Sequence, residues 1–352
     1  MTRIAIMGAG AAGSYIGAFL TREGQDITFI DQWPEHVETM KRDGIRASGS
    51  QGDFTVPVKA LHLTEAQSLF AREGEPFDIA FVAVKSYDTE WATHFIKRYL
   101  KPTGFVVSSQ NCMNDELIAS IVGWEREVPC VMSHIEVALW EPGHVTRGGE
   151  PGRDHGHDVF RVGETNGRVT PRVEHLVNML SCIDGAKVTT NIWGERWAKL
   201  AQNSMGNPVG GISGLGSQGM AQDPRARMLR IHLARETVLV GKALNYNVEP
   251  VAGFDADTWA RANEGDVFEE IDANLQARRG RVDWHSSMAQ DVKKGRRSEI
   301  DYMNGYVVRK GQEVGVPTPA SAAVVAAMRE IDAGRLKPDP YNIDRVLEEA
   351  GL

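Results

Sequence analysis

Three glycines close to the amino terminus have the spacing of a phosphate-binding loop. Gly8, Gly10 and Gly13, with Ala11 and Ala12 between the last two, form GAGAAG directly after a short apolar run. In this G-x-G-x-x-G pattern the first glycine permits a tight turn, the second lets backbone approach a pyrophosphate, and the third lets helix and strand pack closely. The helix amino terminus would face the anion. Because the loop lies between a predicted strand and a predicted helix, it predicts a dinucleotide site rather than a purely structural turn.

An aspartate at the end of the second predicted strand bears on which dinucleotide would bind. Asp31 follows Gly13 by 18 residues, a position from which a carboxylate can accept hydrogen bonds from the adenosine ribose. Its negative charge would repel a 2′-phosphate, so Asp31 favours NAD as cofactor, with NADP disfavoured. The alternative interpretation is an aspartate that merely caps the turn before Pro34, since short acidic residues are common in turns.

Four polar side chains in the second half of the chain recur at every fourth position. Glu195, Lys199, Asn203 and Asn207 share one face of a helix that is predicted to cover residues 193–207 and to be stopped by the Gly–Asn–Pro sequence at its end. That face carries an acid, a base and two amides. On spacing alone, a glutamate and a lysine four residues apart are more often a solvated surface pair.

Short apolar runs alternate with helical stretches in the first half of the chain. The predicted strands cover residues 2–7, 26–30, 79–84 and 104–108. A helix is predicted over 11–23, with Gly24 as its stop. Strands that alternate with helices favour a parallel, doubly wound Rossmann-type sheet. Two further strand-like stretches, 129–138 and 159–163, flank a glycine-rich charged segment at 148–158 that predicts an exposed loop.

The pattern of predicted secondary structure changes near residue 190. Later residues show long helical patterns over 220–243, 262–278 and 282–315 with few strand signals. A length of 352 residues is comfortable for two domains. The sequence therefore predicts a dinucleotide-binding α/β domain over 1–190 and an all-α substrate and catalytic domain over 191–352.

The composition narrows the class of protein. Hydrophobic residues make up 42%, charged residues make up 24%, and the formal net charge is −8. A negative chain without a long basic run has no electrostatic footprint for nucleic acid. We also predict no membrane span, because no apolar stretch approaches the roughly 20 residues needed. A small molecule is the expected partner, and a homodimer the expected assembly.

The cysteines and histidines give no sign of a metal site. Cys112, Cys130 and Cys182 are widely spaced, which suits neither a disulfide framework nor structural zinc and predicts reduced thiols in the cytoplasm. His155 and His157 lie in a charged loop without a third ligand at a convincing spacing. We therefore predict no metal.

Six segments, taken together and in order, resemble ketopantoate reductases, a family whose name-giving activity is 2-dehydropantoate 2-reductase. The segments are GAGAAG at 8–13, VAVK at 82–85, QN at 110–111, ERWAKLAQNSMGNP at 195–208, SSM at 286–288 and SEIDYMNG at 298–305. The resemblance covers nearly the whole chain. It implies a Rossmann domain followed by a helical domain like the carboxyl-terminal domain of 6-phosphogluconate dehydrogenase.

The resemblance also implies roles for individual residues on the cofactor and catalytic side. Lys199 matches the catalytic lysine of the family, and Glu299 matches its partner carboxylate. Asn111 matches the asparagine beside nicotinamide and substrate, and Lys85 matches the lysine of the cofactor cleft. Lys199 as an ammonium would polarise a 2-keto group and deliver a proton, and as a neutral amine it would take a proton from a hydroxyl.

On the substrate side, the resemblance implies that Asn203, Asn207 and Ser287 bind substrate. The sequence departs from the family elsewhere. Cys112 follows the QN pair where glycine is usual, and Ser217 replaces a further asparagine. The bulky polar residues of the segment after Pro129 replace smaller ones; they are His134, Glu136 and Trp140. These departures, together with Asp31 where name-giving members have a basic residue and use NADPH, indicate a pocket not built for ketopantoate.

The expected activity is therefore an NAD-dependent dehydrogenase or reductase that acts on a 2-keto or 2-hydroxy acid or a related hydroxy compound, in either direction. One alternative is a 3-hydroxy acid or opine-type dehydrogenase on the same two-domain plan. Another is a dinucleotide-sensing protein without catalysis. The sequence does not identify the substrate.

Overall fold

The structure is a computed structural model that describes residues 2–71, 76–277 and 283–352. The chain divides into two compact units, Met1–Ile192 and Trp193–Leu352. Arg278 and Val282, which end one predicted helical stretch and begin the next, lie outside the described residues. No described helix is both long enough and apolar enough to cross a membrane.

Strands occur in the first unit. Their bounds are β1 (Arg3–Met7), β2 (Asp26–Asp31), β3 (Ile45–Gly49), β4 (Phe54–Val56), β5 (Lys59–His62), β6 (Phe77–Val82), β7 (Leu100–Ser108), β8 (Glu127–Met132), β9 (Glu136–Glu141), β10 (His144–Gly148), β11 (Phe160–Val162) and β12 (Ala186–Val188). The helices of this unit are α1 (Ala11–Arg22), α2 (Pro34–Asp43), α3 (Ser68–Ala71), α4 (Thr89–Lys97), α5 (Asp115–Val122) and α6 (Pro171–Leu180).

The main sheet has the order β12-β11-β8-β7-β6-β1-β2-β5 among the described strands. Its neighbouring strands are parallel except for β11, which runs antiparallel to β8. The expected doubly wound Rossmann-type sheet is confirmed, with two reversed strands, β11 and β12, at one edge. All the parallel strands from β5 to β8 therefore end at the same edge, which we call the carboxyl edge.

Both faces of this sheet are buried, as a doubly wound fold requires. Along β1, Ile4 and Ile6 belong to one apolar cluster while Ala5 and Met7 belong to the other. The first cluster includes residues of α1 and α6, and the second includes residues of α4 and α5. Strand residues point alternately to opposite faces, so helices cover the sheet from both sides.

A second, smaller sheet was not predicted from the sequence. Its order is β4-β3-β10-β9, and the predicted strand at 129–138 is in fact two strands, β8 and the start of β9. The sheet lies against α1, where the ring of Phe19 meets Phe54 edge-on at 5.0 Å. Its strands are short and come from segments about 90 residues apart, so local periodicity does not reveal the pairing.

The second unit is helical over its described residues. Its helices are α7 (Ile192–Ser213), α8 (Ser217–Gln222), α9 (Pro224–Ala243), α10 (Ala256–Ala260), α11 (Gly265–Ala277), α12 (Ser287–Lys293), α13 (Asn304–Val314), α14 (Pro319–Asp332) and α15 (Tyr341–Glu349). The predicted single helix over 220–243 is interrupted at Asp223, whose carboxylate caps α9 by accepting the amides of Arg225 and Ala226. The expected all-α carboxyl-terminal fold is confirmed.

Candidate functional site

The glycine loop joins β1 to α1 and leaves no room for side chains at two of its glycines. Gly8 has a φ of +97°, and its amide donates to the carbonyl of Ile30 at 2.9 Å. A Cβ at Gly13 would lie 2.1 Å from the Gly8 carbonyl oxygen. These two glycines are therefore required by the turn itself and by the close approach of α1 to it.

Gly10 differs from both, because the space beside it is open. No heavy atom of the described residues, apart from immediate chain neighbours, lies within 4 Å of a Cβ placed there. Gly10 is the N-cap residue of α1, and Ala11 and Ala12 form the first turn, half-buried. Backbone amides at the start of a helix favour an anion. The open face of Gly10 has the shape that a pyrophosphate approaching this backbone needs.

Asp31 lies at the carboxyl end of β2, next to the loop. One carboxylate oxygen accepts the Ala9 amide at 2.6 Å, and the other accepts the Trp33 amide at 2.8 Å. The second bond is the turn-capping contact that was the alternative interpretation of this residue. The first bond ties the carboxylate to the glycine loop. Each oxygen retains a lone pair, so the fixed carboxylate can also accept from ribose hydroxyls.

A buried histidine behind the loop was missed by sequence reasoning. The His36 Nδ1 accepts the Gly143 amide at 2.9 Å, and its Nε2 lies 3.3 Å from the Ser14 hydroxyl. Burial lowers the pKa of His36, although the charge of Asp31 and a hydrogen bond to the Ala9 backbone act in the opposite direction. The neutral imidazole thus joins the start of α1 to the turn at Gly143. A single histidine on α2 gives no sequence signal for this role.

Lys85 and Asn111 follow adjacent strands at the carboxyl edge. Lys85 comes after β6 and begins a short 3-10 turn, and Asn111 comes after β7. The side-chain amide of Gln110 donates to the Val84 carbonyl at 2.6 Å, and this bond joins the two loops. Cys112 has a φ of 68°, so the loop after Asn111 takes the left-handed conformation that glycine adopts easily and cysteine does not.

In the second unit, Lys199, Asn203 and Asn207 lie on α7, whose end was predicted wrongly. The helix does not stop at 206–208 but continues to Ser213, with Pro208 inside it. A proline in a helix has no amide for the carbonyl four residues earlier, here that of Ser204. That carbonyl instead accepts the side-chain amide of Asn304 at 3.3 Å. The side chain replaces the missing donor, which explains how the helix continues.

The same bond attaches the segment of Glu299 to α7. Glu299 precedes a 3-10 turn over Ile300–Tyr302 and is 6% exposed, and Asn304 is fully buried at the start of α13. The Asn207 amide also approaches the Met303 sulfur at 3.9 Å. Asn304 and Pro208 are positioning residues inside the quoted motifs; the sequence predicts Pro208 only as part of a helix stop and gives Asn304 no role.

Ser287 is the first residue of α12 and is half-buried. Its neighbour Ser286 is the cap: its hydroxyl accepts the Ala289 amide at 3.3 Å and donates to the Asn207 carbonyl at 3.2 Å. The start of α12 is therefore bonded to the polar face of α7. In this unit a lysine, two asparagines, a buried carboxylate and a serine come from three segments that hydrogen bonds hold together, a set able to bind and protonate a polar substrate.

No group of three or more His, Cys, Asp or Glu that could hold a metal ion occurs in the described part of the chain. The prediction of a metal-free site stays a prediction. The candidate groups named in the two units are backbone amides, carboxylates, side-chain amides, a serine hydroxyl and two lysines.

Comparisons with known proteins cover nearly the whole chain. The family model "Ketopantoate reductase PanE/ApbA" matches residues 4–158, and "Ketopantoate reductase PanE/ApbA C terminal" matches residues 191–332. A 2-dehydropantoate 2-reductase from Archaeoglobus fulgidus is 28% identical over 334 residues, which cover 94% of this chain and 98% of that protein.

Solved structures agree with the fold. A PanE/ApbA family ketopantoate reductase from Ralstonia eutropha has a TM-score of 0.75 and 25% identity, covering 95% of this chain and 99% of that one. A D-mandelate dehydrogenase, solved with NADH and anilino(oxo)acetate, has a TM-score of 0.76 and 21% identity, covering 96% of this chain and 100% of that one. With both family models matched across the two units, this chain belongs to the ketopantoate reductase family of oxidoreductases.

Proposed function

We propose that the protein is an NAD-dependent oxidoreductase that interconverts a 2-oxo acid and a 2-hydroxy acid, with Lys199 as general acid and base. The observation that carries the cofactor assignment is the Asp31 carboxylate, fixed by the amides of Ala9 and Trp33 at the carboxyl end of β2. A negative charge held rigidly at this position accepts from ribose hydroxyls and repels a 2′-phosphate.

The glycine loop supports a dinucleotide in the same unit. The open space at Gly10 and the amides of the first turn of α1 fit a pyrophosphate. The bound nicotinamide would supply the hydride chemistry. Lys85 and Asn111, after β6 and β7, would bind and orient the other end of the cofactor.

The second unit supplies groups for the proton and the substrate. Lys199 as an ammonium would donate to the oxygen of a 2-oxo group, and in the reverse direction its amine would accept the hydroxyl proton. Asn203, Asn207 and Ser287 would hold the substrate through hydrogen bonds. The buried carboxylate of Glu299 would orient the lysine or bind a substrate hydroxyl. The structural neighbour solved with NADH and anilino(oxo)acetate supports this substrate class by similarity of fold alone.

The decisive experiment is a panel of 2-oxo, 2-hydroxy and 3-hydroxy acids, with and without an amine, assayed with NAD(H) and NADP(H) through the absorbance of the reduced nicotinamide. We expect 2-oxo acids to be turned over with NADH. Turnover of ketopantoate with preference for NADPH would contradict the proposal, and turnover only of 3-hydroxy acids, or only with an amine, would favour the alternative dehydrogenases. NAD binding without any turnover would favour the sensing role.

Two variants test the cofactor assignment directly. Asp31→Arg should move the preference towards NADP(H), because the guanidinium would bind a 2′-phosphate. Asp31→Asn keeps one acceptor without the charge and should weaken the discrimination without reversing it. Asp43→Arg makes the same charge change at the exposed end of α2 and should leave the cofactor preference as it is in the parent. An unchanged preference in Asp31→Arg would show that another residue selects the cofactor.

A further inference from the structure

A polar cluster lies where β8 reaches the carboxyl edge of the main sheet. We call Ser133, His134, His157 and Arg161 the edge cluster. The Arg161 guanidinium donates to the Ser133 hydroxyl oxygen at 2.8 Å, and the Ser133 hydroxyl lies 2.9 Å from the His157 Nε2. The rings of His134 and His157 meet edge-on, with 4.4 Å between their centroids. Three groups that can carry positive charge therefore converge on one strand end.

Two groups contact the inner histidine at its Nε2. Arg161 donates to the Ser133 oxygen, and the serine hydroxyl donates to the His157 Nε2 or accepts from it, according to the tautomer. A second Arg161 nitrogen lies 3.4 Å from the same Nε2. An Nε2 that accepts leaves the proton of a neutral ring on Nδ1. Ser133 is 3% exposed and His157 is half-buried, so these two residues form an inner layer that can hold the His134 ring in place.

His134, by contrast, is exposed and is held in a costly backbone conformation. Its φ is 55°, a region that non-glycine residues visit rarely, although histidine visits it more often than most. Backbone strain of this kind tends to persist at functional positions. Cys112, in the loop after the neighbouring strand β7, has a φ of 68°. Two adjacent loops at the carboxyl edge thus carry left-handed residues that are not glycine.

The segment that leads to His157 is held in place by a buried aspartate. The buried carboxylate of Asp184 accepts the amides of Gly152 and Arg153 at 3.0 and 2.9 Å and forms an ion pair with buried Arg147. Glu136, two residues after His134, lies towards β10, where one of its oxygens is 3.4 Å from the Cβ position of Gly149. Burial raises the pKa of Glu136, and the charge of Arg147 opposes this rise. The described neighbours of Glu136 therefore lie on the β10 side.

The position of the edge cluster follows from the strand order. With the adenosine at the end of β2 and the pyrophosphate at β1, an extended dinucleotide continues towards β6 and β7. β8 is the next strand in that direction. On the proposed function, on which this inference rests, the edge cluster lies beyond the nicotinamide end, where this unit would meet the substrate.

We propose that the edge cluster is an anion subsite in which His134, supported by His157 and Arg161, binds a second carboxylate of the substrate. The preferred substrates are then 2-oxo dicarboxylates or the corresponding hydroxy diacids. Hydrogen bonds from imidazole and guanidinium to a carboxylate are charge-assisted and stronger than neutral ones. A subsite that offers such donors discriminates against a substrate without the matching acceptor.

The first test compares substrates of equal length, 2-oxoglutarate against 2-oxopentanoate, with NADH. We expect the parent to prefer the diacid and His134→Gly to lower kcat/KM for the diacid roughly 10- to 100-fold, mainly through KM, with the monoacid within about twofold. His134→Gly also relieves the left-handed backbone, so the variant should unfold at the same or a higher temperature. His134→Asn tolerates this conformation without the charge and should retain part of the preference. His155→Asn, two residues before His157 and outside the edge cluster, should change neither the substrate preference nor the unfolding temperature.

An equal loss for both substrates in His134→Gly, or a parent without preference for the diacid, would overturn the subsite. If no 2-oxo acid is turned over at all, the proposed function fails, and a binding measurement then decides the inference separately. Glutarate and pentanoate are titrated into the full-length protein, with and without NADH, while the histidine side-chain NMR signals are followed. The NMR signal of His134 is identified as the one that is missing from His134→Asn. Glutarate should shift this signal, and pentanoate should not. No shift, or an equal shift with pentanoate, would overturn the proposal.

Discussion

The glycine loop of the first unit and the polar face of α7 in the second unit are positioned by different kinds of interaction. The loop depends on close backbone contacts between residues near one another in the chain, such as the 2.1 Å that would separate the Gly8 oxygen from a Cβ at Gly13. The face of α7 depends on a hydrogen bond between Ser204 and Asn304, which lie 100 residues apart. Local sterics can therefore be predicted from spacing, whereas a tertiary hydrogen bond cannot.

The largest expected effect concerns the chemistry of the α7 face. Lys199→Ala should lower kcat/KM for the substrate found in the panel roughly 10²- to 10⁴-fold, because the general acid and base is lost. NADH affinity should stay unchanged, since the glycine loop needs nothing from this lysine. Steady-state kinetics and NADH fluorescence titration measure the two effects, with Lys242→Ala on α9 as the matched control. A loss below tenfold would remove Lys199 from the proposed mechanism.

The next effect separates the two kinds of glycine in the loop. Gly13→Ala forces backbone apart and should destabilise the first unit by about 1–3 kcal/mol and abolish measurable NADH binding. Gly10→Ala meets no neighbouring atom of the described residues and should leave the free energy of unfolding unchanged while weakening NADH binding about tenfold or more. Thermal unfolding and calorimetric titration check both. Normal NADH binding by Gly13→Ala would break the claim that backbone sterics define this region.

A smaller effect tests the tertiary bond. Asn304→Ala leaves the buried Ser204 carbonyl without its donor and should cost about 1–3 kcal/mol in the unfolding of the second unit. Pro208→Ala restores a backbone amide at the position from which a helix normally serves that carbonyl. The double variant should therefore lose less stability than the sum of the single variants. Denaturant unfolding of all four proteins measures the coupling, and strict additivity would show that the two residues act independently.

The smallest effect is a pH dependence at the glycine loop. Burial lowers the pKa of His36 below that of the unfolded chain, against the opposing effects of the Asp31 charge and the Ala9 backbone. Its contribution to stability is then fully present above about 6.5, the ordinary value for histidine, and is lost as the pH falls towards the lowered pKa. We expect the free energy of unfolding and the NADH affinity both to fall in this window. His36→Gln should flatten the dependence, whereas His175→Gln, at an exposed position, should not.

The same distinction explains how far the sequence predicted the molecule. The buried parallel strands and the loop at Gly8–Gly13 follow from short-range patterns, and the structure has them where they were expected. The sheet of β3, β4, β9 and β10 was missed because its pairing joins distant short segments. The stop predicted at Pro208 was wrong because the missing donor is supplied by Asn304. The roles of Lys199, Glu299 and the asparagines came from family resemblance and stay predictions.

The proline within α7 also has a consequence for how the protein is made. Ribosomes deliver α7 about a hundred residues before Asn304, and domains acquire their structure as the chain emerges. Until Asn304 has been synthesised, the Ser204 carbonyl can accept a hydrogen bond only from water. Water no longer reaches this carbonyl once the rest of the unit packs around α7. The hydrogen bond between Asn304 and Ser204 is therefore acquired late in synthesis, and a chain truncated before residue 304 would retain the candidate site residues of α7 without it.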